Sequence, residues 1–261
     1  MIRSLYTAAS GMKAQQFQVD TIANNIANVN TAGFKKSQLS FRSLLYQTYR
    51  EPGLPTANSQ TDVTGLQIGS GTEVSGSRKL MGQGLLELTG NSLDLAIEGP
   101  GFFEVALPSG ESRYTRNGTF RQDAEGRLVT AEGYFLTDGI AIPGDSLGIS
   151  ISSQGEVFSL GPDNQLAPAG SIRVHTFANP TGLKAMGGNY YIQTSASGDP
   201  EAKLPSSQGA GEVKQGYLER SNVETVDELV ALIVAQRNYE VNSRAIRVSD
   251  EMLAQVTQLV Q

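Results

Sequence analysis

The chain has little of the chemistry on which catalytic sites depend. Its 261 residues include no cysteine, no tryptophan and a single histidine, His175. The lack of cysteine excludes disulfide bonds and thiolate catalysis, and a Ser-His-Asp system or a zinc site is left with one candidate side chain. His175 lies in an alternating stretch typical of a strand, which indicates a structural or solvent-facing residue rather than a catalytic one. We therefore expect no enzyme activity, no cofactor and no metal site.

Two further absences narrow the class of protein. The longest apolar run, residues 229–235, is far too short to span a membrane, and the first residues lack the continuous apolar block of a cleaved secretory signal. The formal net charge is -6 without a basic cluster, which excludes a typical nucleic-acid binder. Residues 1–50 carry six basic residues against one acid, whereas residues 216–261 carry four basic residues against seven acids. These opposite signs suggest that the two ends meet.

Apolar residues recur in steps of three and four along the N-terminal residues, which is typical of a helix packed along another helix. The series is Leu5, Ala8, Met12, Gln15, Val19, Ile22, Ile26 and Val29. Asn30 and Gly33 accept left-handed backbone angles and indicate where the helix ends. We predict an N-terminal core helix within residues 1–30, roughly 40 Å long at 1.5 Å per residue.

Neutral amides flank this seam where lysine and glutamate would be usual. Asn24, Asn25 and Asn28 are poor helix formers, but an amide can donate and accept hydrogen bonds at once. A helix face that carries them can bond to identical helices without the desolvation that charges would require. Two alternatives stay open: a frayed surface helix, and a helix packed on the core of its own domain.

Residues 216–261 predict a second helix. Thr225 and Glu228 form a capping box at its start. A first apolar stripe follows, and a second stripe widens the surface, so that this helix needs more than one neighbour. The first stripe is Leu232, Ala235, Tyr239, Asn242, Ile246, Ser249, Leu253, Val256 and Val260, and the second is Val241, Ala245, Val248, Met252 and Leu259. We predict that this C-terminal core helix pairs with residues 1–30.

Between the helices the periodicity changes to that of strands. Residues 93–97 alternate, and Asn117-Gly118 is the strongest short hairpin signal. Turn signals about every 8–12 residues predict an antiparallel β-rich domain over residues 87–215. Residues 31–86 form an extended connector that contains, at residues 46–66, a loop or extended arm. The arm residues singled out are Tyr46, Gln47, Pro52, Gly53, Gly65 and Leu66.

Three separated motifs resemble one known family. Residues 23–35, ANNIANVNTAGFK, resemble the N-terminal signature of the bacterial flagellar rod and hook proteins. Residues 221–223, SNV, and 236–243, QRNYEVNS, are similar to the other end of that family. Residues 94–103, DLAIEGPGFF, and 114–120, YTRNGTF, are similar to its β-domain. The motifs occur in the family's order, and the resemblance covers almost the whole chain.

The resemblance implies an α+β fold in which the paired terminal helices form a coiled-coil-like inner core and the β-rich domain lies outside. Residues 44–53 and 64–69 resemble the distal-rod branch of the family, in which the arm would bridge neighbouring subunits. The implied protein is a structural subunit of the flagellar basal body. It would polymerise with copies of itself into a drive shaft that carries torque across the periplasm from motor to hook.

The resemblance also implies partners and a location. The partners are proximal rod proteins, the hook protein, the P- and L-ring proteins where present, and the flagellar export apparatus, which would export the chain without a cleaved signal peptide. Three alternatives remain: a proximal-rod or hook-type sibling, a phage-tail or adhesin-like structural protein, and a carboxylate-based hydrolase on a β-scaffold. The last is remote because sugar clefts usually contain tryptophan, which this chain lacks.

Residue roles follow from the paired-helix interpretation. The residues expected at the helix-packing and subunit interface are Leu5, Met12, Val19, Ile22, Asn24, Asn25, Ile26, Asn28, Val29, Leu232, Tyr239, Asn242, Ile246, Leu253 and Val256. Within or between subunits, we expect the cations Arg3, Lys13, Lys35 and Lys36 to complement the acids Asp227, Glu240, Asp250 and Glu251.

We predict that limited proteolysis of the purified monomer removes both predicted terminal helices and leaves the β-rich domain. The reason is that two long helices joined along one narrow seam leave much apolar surface in water. Mass spectrometry of the fragments measures the cleavage sites, and assembled polymer is the control in which the same sites should be protected. Protease-resistant termini in a verified monomer would contradict the prediction.

Overall fold

The chain folds into two compact units. The structure, a computed structural model, describes residues 2–51, 64–144, 146–163, 165–207 and 209–259. The first unit comprises residues 1–26, 37–78 and 225–261, and the second comprises residues 27–36 and 79–224. Both predicted terminal helices therefore contribute to one unit, although they lie at opposite ends of the sequence.

The first unit contains two long helices and two short strand pairs. Its elements are α1 Ile2–Ala27, β1 Ser37–Ser43, β2 Tyr46–Arg50, β3 Leu66–Gly69, β4 Thr72–Lys79 and α2 Thr225–Leu259. β1 is hydrogen-bonded to β4, and β2 pairs with β3 in an antiparallel ladder. Both described ends of the predicted arm are thus strands, with Gly65 just before β3 and Pro52 and Gly53 outside the described residues. Among the described residues, no helix is long and apolar enough to cross a membrane.

The helix boundaries differ slightly from those expected. α1 ends at Ala27, and the residues between it and Gly33, which has φ +68°, form turns. Thr225 is the first residue of α2, so the predicted cap lies inside the helix. Asp227 and Glu228 occupy the first turn, where a carboxylate interacts favourably with the helix dipole.

The second unit is built from short antiparallel strands and one 3₁₀ turn, Pro180–Gly182. The strands are β5 Leu86–Leu88, β6 Leu95–Glu98, β7 Phe103–Ala106, β8 Ser112–Thr115, β9 Arg121–Gln122, β10 Leu128–Val129, β11 Phe135–Leu136, β12 Gly148–Ile151, β13 Glu156–Leu160, β14 Leu166–Ser171, β15 Val174–Thr176, β16 Lys184–Gly187, β17 Tyr190–Ile192, β18 Glu201–Lys203, β19 Glu212–Gln215 and β20 Tyr217–Glu219. The molecule is therefore α+β, with a terminal helix from each end and an antiparallel β-rich body.

A seven-stranded sheet and a three-stranded sheet provide most of this unit's core. Their orders are β16-β17-β8-β7-β11-β10-β9 and β12-β13-β14, and β6 pairs with β19 beside them. Leu95, Ala96 and Ile97 are all buried, although the alternating pattern predicted a strand with one exposed face. β6 is covered on both faces, and a strand in that position needs apolar or small residues throughout.

Asn117-Gly118 does not form the predicted hairpin turn. β8 pairs with β7 and β17, whereas the next strand along the chain, β9, pairs with β10. A Cβ on Gly118 would lie 1.6 Å from the carbonyl oxygen of Leu95, and the Leu95 amide donates a hydrogen bond of 3.0 Å to Gly118 O. The prediction was wrong because this glycine permits close approach of two backbones rather than a tight reversal.

We predict that the second unit loses stability at alkaline pH. Burial raises the pKa of Tyr114 and of Tyr191 to about 12, against about 10 in an unfolded chain. Between about pH 10 and pH 12 the unfolded state binds fewer protons than the folded state. Stability that is fully present below pH 10 therefore declines as the pH rises through this range. We expect Tyr114→Phe to make the decline in the free energy of unfolding shallower, as measured by urea unfolding at a series of pH values. Equal slopes in the variant and the native protein would contradict this account.

Candidate assembly interface

Three contacts join α1 to α2 inside the first unit. Ser4 Oγ lies 3.3 Å from Ser249 Oγ. A Cβ on Gly11 would lie 3.0 Å from Asn242 Nδ2, and Asn25 Nδ2 donates a hydrogen bond of 3.2 Å to Glu228 Oε2. The two helices therefore touch near both ends and in the middle of α1.

The contacts share one antiparallel register. Ser4, Gly11 and Asn25 follow one another along α1 in steps of seven and fourteen residues. Their partners Ser249, Asn242 and Glu228 follow one another in the same steps in the reverse direction along α2. Steps of whole heptads keep the same face of each helix turned to the other. The matched stretch of 21 residues corresponds to about 32 Å of helix.

Most of the fully buried residues of α1 and α2 are small or polar. The residues of the two helices that are buried in the described part of the chain are Ala8, Ala14, Ile22, Asn25, Glu228, Ala235 and Ser249. One of these seven, Ile22, is a large apolar side chain. Small side chains allow helix backbones to approach closely, but they bury little apolar area and so contribute little hydrophobic stabilisation.

Asn25 holds three elements together. Its Nδ2 also donates a hydrogen bond of 3.0 Å to Ser37 O, and its Oδ1 accepts one of 2.9 Å from Ser37 N at the start of β1. Asn25 is 1% exposed and its α2 partner Glu228 is 2% exposed. The asparagine side chain supplies both the donor and the acceptor that these partners need, which explains an asparagine inside a helix.

The predicted interface residues are placed unequally. Ile22 and Asn25 are buried, and the partly buried ones are Leu5, Met12, Val19, Ile26, Asn28, Val29, Leu232, Asn242, Ile246 and Leu253. Asn24, Tyr239 and Val256 are exposed. Sequence reasoning missed Ser4 and Gly11, which lie one residue before Leu5 and Met12; a heptad spacing of small residues was the available signal.

α2 carries a broad exposed apolar surface. Its exposed large apolar residues are Val226, Leu229, Val230, Ile233, Val234, Tyr239, Val241, Val248, Met252 and Val256. We call this set the outer face of α2. Exposed apolar patches of this extent mark interaction surfaces, and members of both predicted stripes occur in it.

The base of the arm is anchored to α1 through Arg3. The Arg3 guanidinium donates hydrogen bonds to Gln47 Oε1, to Tyr49 OH at 3.1 Å and to Ile68 O at 2.7 Å. These partners are neutral groups on β2 and β3, so within this chain Arg3 does not contact the acids of α2; the expected pairing between subunits stays a prediction. The arm also exposes apolar and aromatic side chains, among them Tyr46 and Leu66.

A buried ionic cluster fixes the end of the N-terminal signature in the second unit. Lys35 Nζ lies 2.6 Å from Glu219 Oε1, and Arg116 NH1 lies 3.4 Å from Glu219 Oε2. We call Lys35, Arg116 and Glu219 the Glu219 cluster. Burial lowers the pKa of Lys35, and the adjacent Glu219 carboxylate opposes this shift. The expectation that Lys35 pairs with acids of α2 was wrong, because the lysine is fully enclosed with a different carboxylate.

His175 has the structural surroundings expected of it. It is buried, its Nε2 lies 3.3 Å from Glu104 Oε2, and its backbone bridges to Phe102. Burial lowers its pKa, against the opposing effect of Glu104. Over the described part of the chain, no group of three or more His, Cys, Asp or Glu side chains could hold a metal ion.

Comparisons with known proteins agree with this architecture. Residues 5–35 match the family described as "Flagella basal body rod protein", residues 96–159 match "Flagellar hook protein FlgE/F/G D1 domain", and residues 214–259 match "Flagellar basal body rod FlgEFG protein C-terminal". The matched regions include most of α1, much of the β-rich unit and all of α2. They define a subunit of the flagellar axial structure.

Individual relatives indicate which branch of the flagellar axial family the chain resembles. The chain is 44% identical to the flagellar basal-body rod protein FlgG of Borreliella burgdorferi over 97% of each chain, and 39% identical to that of Bacillus subtilis over 99% of each. It is 30% identical to the flagellar hook-basal body complex protein FlhP of Bacillus subtilis over 97% of each. The chain belongs to the flagellar basal-body rod protein family and is most similar to its FlgG members.

We expect Asn25→Asp to destabilise the helix pair. The substitution places a second carboxylate against the buried Glu228 at neutral pH, at a cost of about 3 kcal/mol, and the pair would regain stability on taking up a proton in acid. Thermal unfolding followed by circular dichroism of the helices at several pH values measures the effect.

The exposed neighbour Asn24 provides the matched control, since Asn24→Asp should change the melting temperature little. Adding Glu228→Gln to the Asn25→Asp variant should restore stability, because a glutamine amide can donate to the new carboxylate. Equal melting temperatures for Asn24→Asp and Asn25→Asp would show that the Asn25–Glu228 contact does not hold the helices.

Proposed function

We propose that this chain is a subunit of the distal rod of the bacterial flagellum, a helical polymer that transmits torque from motor to hook. The observation that carries the proposal is the division of side chains in the first unit. The side-chain contacts that fix α1 against α2 involve small and polar residues, whereas the outer face of α2 keeps ten large apolar residues exposed. Such a unit finds its hydrophobic stabilisation in contacts with other copies.

The magnitudes favour several neighbours rather than one. Removing the exposed part of each of these side chains from water contributes roughly 1 kcal/mol, or on the order of 10 kcal/mol for the outer face. Association of two proteins costs about 4–15 kcal/mol in lost freedom and ordering. The outer face of one helix against one partner therefore gains little, and repeated contacts along a polymer make assembly favourable.

The neutral amides fit the same assembly. Charged residues inside a tube of identical helices would face their own copies, and like charges repel when buried. Asn24 is exposed in the single chain, and its amide can both donate to and accept from another subunit. We propose that the terminal helices form a coiled-coil-like inner core and that the predicted interface residues line its contacts.

The family membership supports assembly with other rod and hook components. We propose proximal rod proteins and the hook protein as axial neighbours, the P- and L-ring proteins as the surrounding bushing, and the flagellar export apparatus as the export route without a cleaved signal peptide. The role is structural rather than enzymatic, and the location is the periplasm-spanning rod of the basal body.

A sibling axial protein is the second candidate. The similarity to FlhP, a hook-basal body complex protein, shows that the same architecture occurs under other names in the flagellum. The higher identity to FlgG members and the FlgG-like arm favour the distal rod. Averaged images of basal bodies that contain the labelled chain test the choice, since a distal-rod subunit should lie directly below the hook. Label confined to the proximal end of the rod would overturn the assignment.

We expect deletion of residues 46–66 to leave polymerisation possible and to make the shaft easier to bend. The deletion removes β2 and Leu66, the first residue of β3, together with the Arg3 contacts to Gln47 and Tyr49, but it leaves the outer face of α2 intact. Electron microscopy of assembled rods measures curvature. Arg3→Ala, which retains the arm but removes its anchor, should give an intermediate curvature. Straight, rigid rods from the deletion variant would rule out the stiffening role.

A further inference from the structure

The chain passes between its two units at four points. These lie between residues 26 and 27, 36 and 37, 78 and 79, and 224 and 225. On the side of the second unit, the connections run through residues 27–36, 79–86 and 216–224, which we call the junction segments. Any force that reaches the β-rich unit along the chain enters through these three segments.

Glu219 links all three junction segments. Its Oε1 accepts hydrogen bonds from Lys35 Nζ at 2.6 Å and from the Gly84 amide at 2.8 Å, and its backbone oxygen accepts one of 2.8 Å from the Gly33 amide. Arg116 connects this carboxylate to the body of the unit, because its guanidinium also donates to the carbonyl oxygens of residues 97 and 99 at 3.1 and 2.6 Å.

Asn222, three residues after Glu219, also links all three junction segments. Its Oδ1 accepts a hydrogen bond of 2.8 Å from the Lys36 amide, and its Nδ2 donates to Leu80 O at 2.9 Å and to Gly82 O at 3.0 Å. The Leu80 amide donates to Lys36 O at 2.8 Å. Backbones approach closely here, since a Cβ on Gly84 would lie 1.9 Å from the carbonyl oxygen of Arg220.

A buried ionic cluster is a poor device for stability alone. Removing charges from water costs several kcal/mol per ion, and apolar residues of similar volume often stabilise a fold as well or better. Charge-assisted hydrogen bonds instead fix the orientation of the groups that they join, because each bond restricts the angle between donor and acceptor. The two cations and the carboxylate of the Glu219 cluster are almost fully enclosed, so their geometry is held on every side.

We propose that the Glu219 cluster and Asn222 form a mechanical anchor, which holds the three junction segments as one stiff element so that force along the chain reaches the β-rich unit without loosening it. In this role, Lys35, Glu219 and Asn222 hold the junction segments in position while torque is transmitted. The inference rests on the proposed rod function. It goes beyond that function by assigning load-bearing to a side-chain cluster away from the helix pair and the arm.

Hydrogen exchange on the purified full-length protein tests the anchor directly. Asn222→Ala removes the acceptor of the Lys36 amide while leaving the buried charges paired, so it is the milder variant. We expect the exchange of that amide to become about tenfold faster, as for the loss of one ordinary hydrogen bond, and that of Val105 in β7 to stay unchanged. Unchanged exchange at Lys36 would overturn the proposal.

Swimming under load tests the function of the anchor. Cells without their own copy of the gene would express the native chain, Asn222→Ala, Glu219→Gln, or Glu98→Gln, which disrupts an exposed ion pair with Lys214. We expect Asn222→Ala to form normal numbers of rods and to swim normally in dilute medium but more slowly in viscous medium. Glu98→Gln should match the native chain in both media.

The outcomes separate the two proposals. If the native chain forms no rods in such cells, the proposed function fails. If it forms rods and Asn222→Ala swims like Glu98→Gln in viscous medium, the anchor proposal fails and the function stands. Glu219→Gln leaves two buried cations without their carboxylate, and adding Lys35→Met should partly restore rod number and viscous swimming. No such restoration would also count against the anchor.

Discussion

The first unit depends on one set of contacts: small and polar side chains fix how α1 and α2 lie against each other. Ser4 with Ser249, Gly11 with Asn242 and Asn25 with Glu228 set an antiparallel register in whole heptads. Close approach and hydrogen bonds decide how the helices align, but they contribute little net free energy in water. Most of the exposed large apolar residues of α2, all except Tyr239 and Val256, lie away from this contact line.

The second unit is stabilised in a different way. Its sheets enclose a conventional apolar core, including Leu95, Phe103 and Val157. At its junction segments the interacting side chains are ionic and amide groups. Directional hydrogen bonds take the place of apolar contacts there. This contrast suits a subunit of the basal-body rod family: a β-rich unit with its own apolar core is combined with terminal helices that leave apolar surface exposed.

Polar residues in this chain are informative because most of them have a defined partner. Asn25 supplies a donor and an acceptor to three elements, and Asn222 does the same for the junction segments. Lysine or glutamate could not do both tasks, since a charged group offers only donors or only acceptors. Asn25 and Asn222 therefore lie where backbone segments with opposite hydrogen-bonding needs converge. For Asn25, that explains its place in the signature motif better than helix propensity does.

The sequence by itself determined the two helices, the β-rich middle and the family, because heptad periodicity, turn residues and motifs are local and survive without a partner. It also indicated that the ends meet. It could not determine which residues touch across the helix pair, such as Ser4 with Ser249 and Gly11 with Asn242, because close packing of backbones rather than apolar spacing selects those contacts. It could not assign Lys35 to Glu219 or Gly118 to Leu95. Those partners lie 184 and 23 residues apart in sequence, and only the tertiary fold decides which distant groups become neighbours.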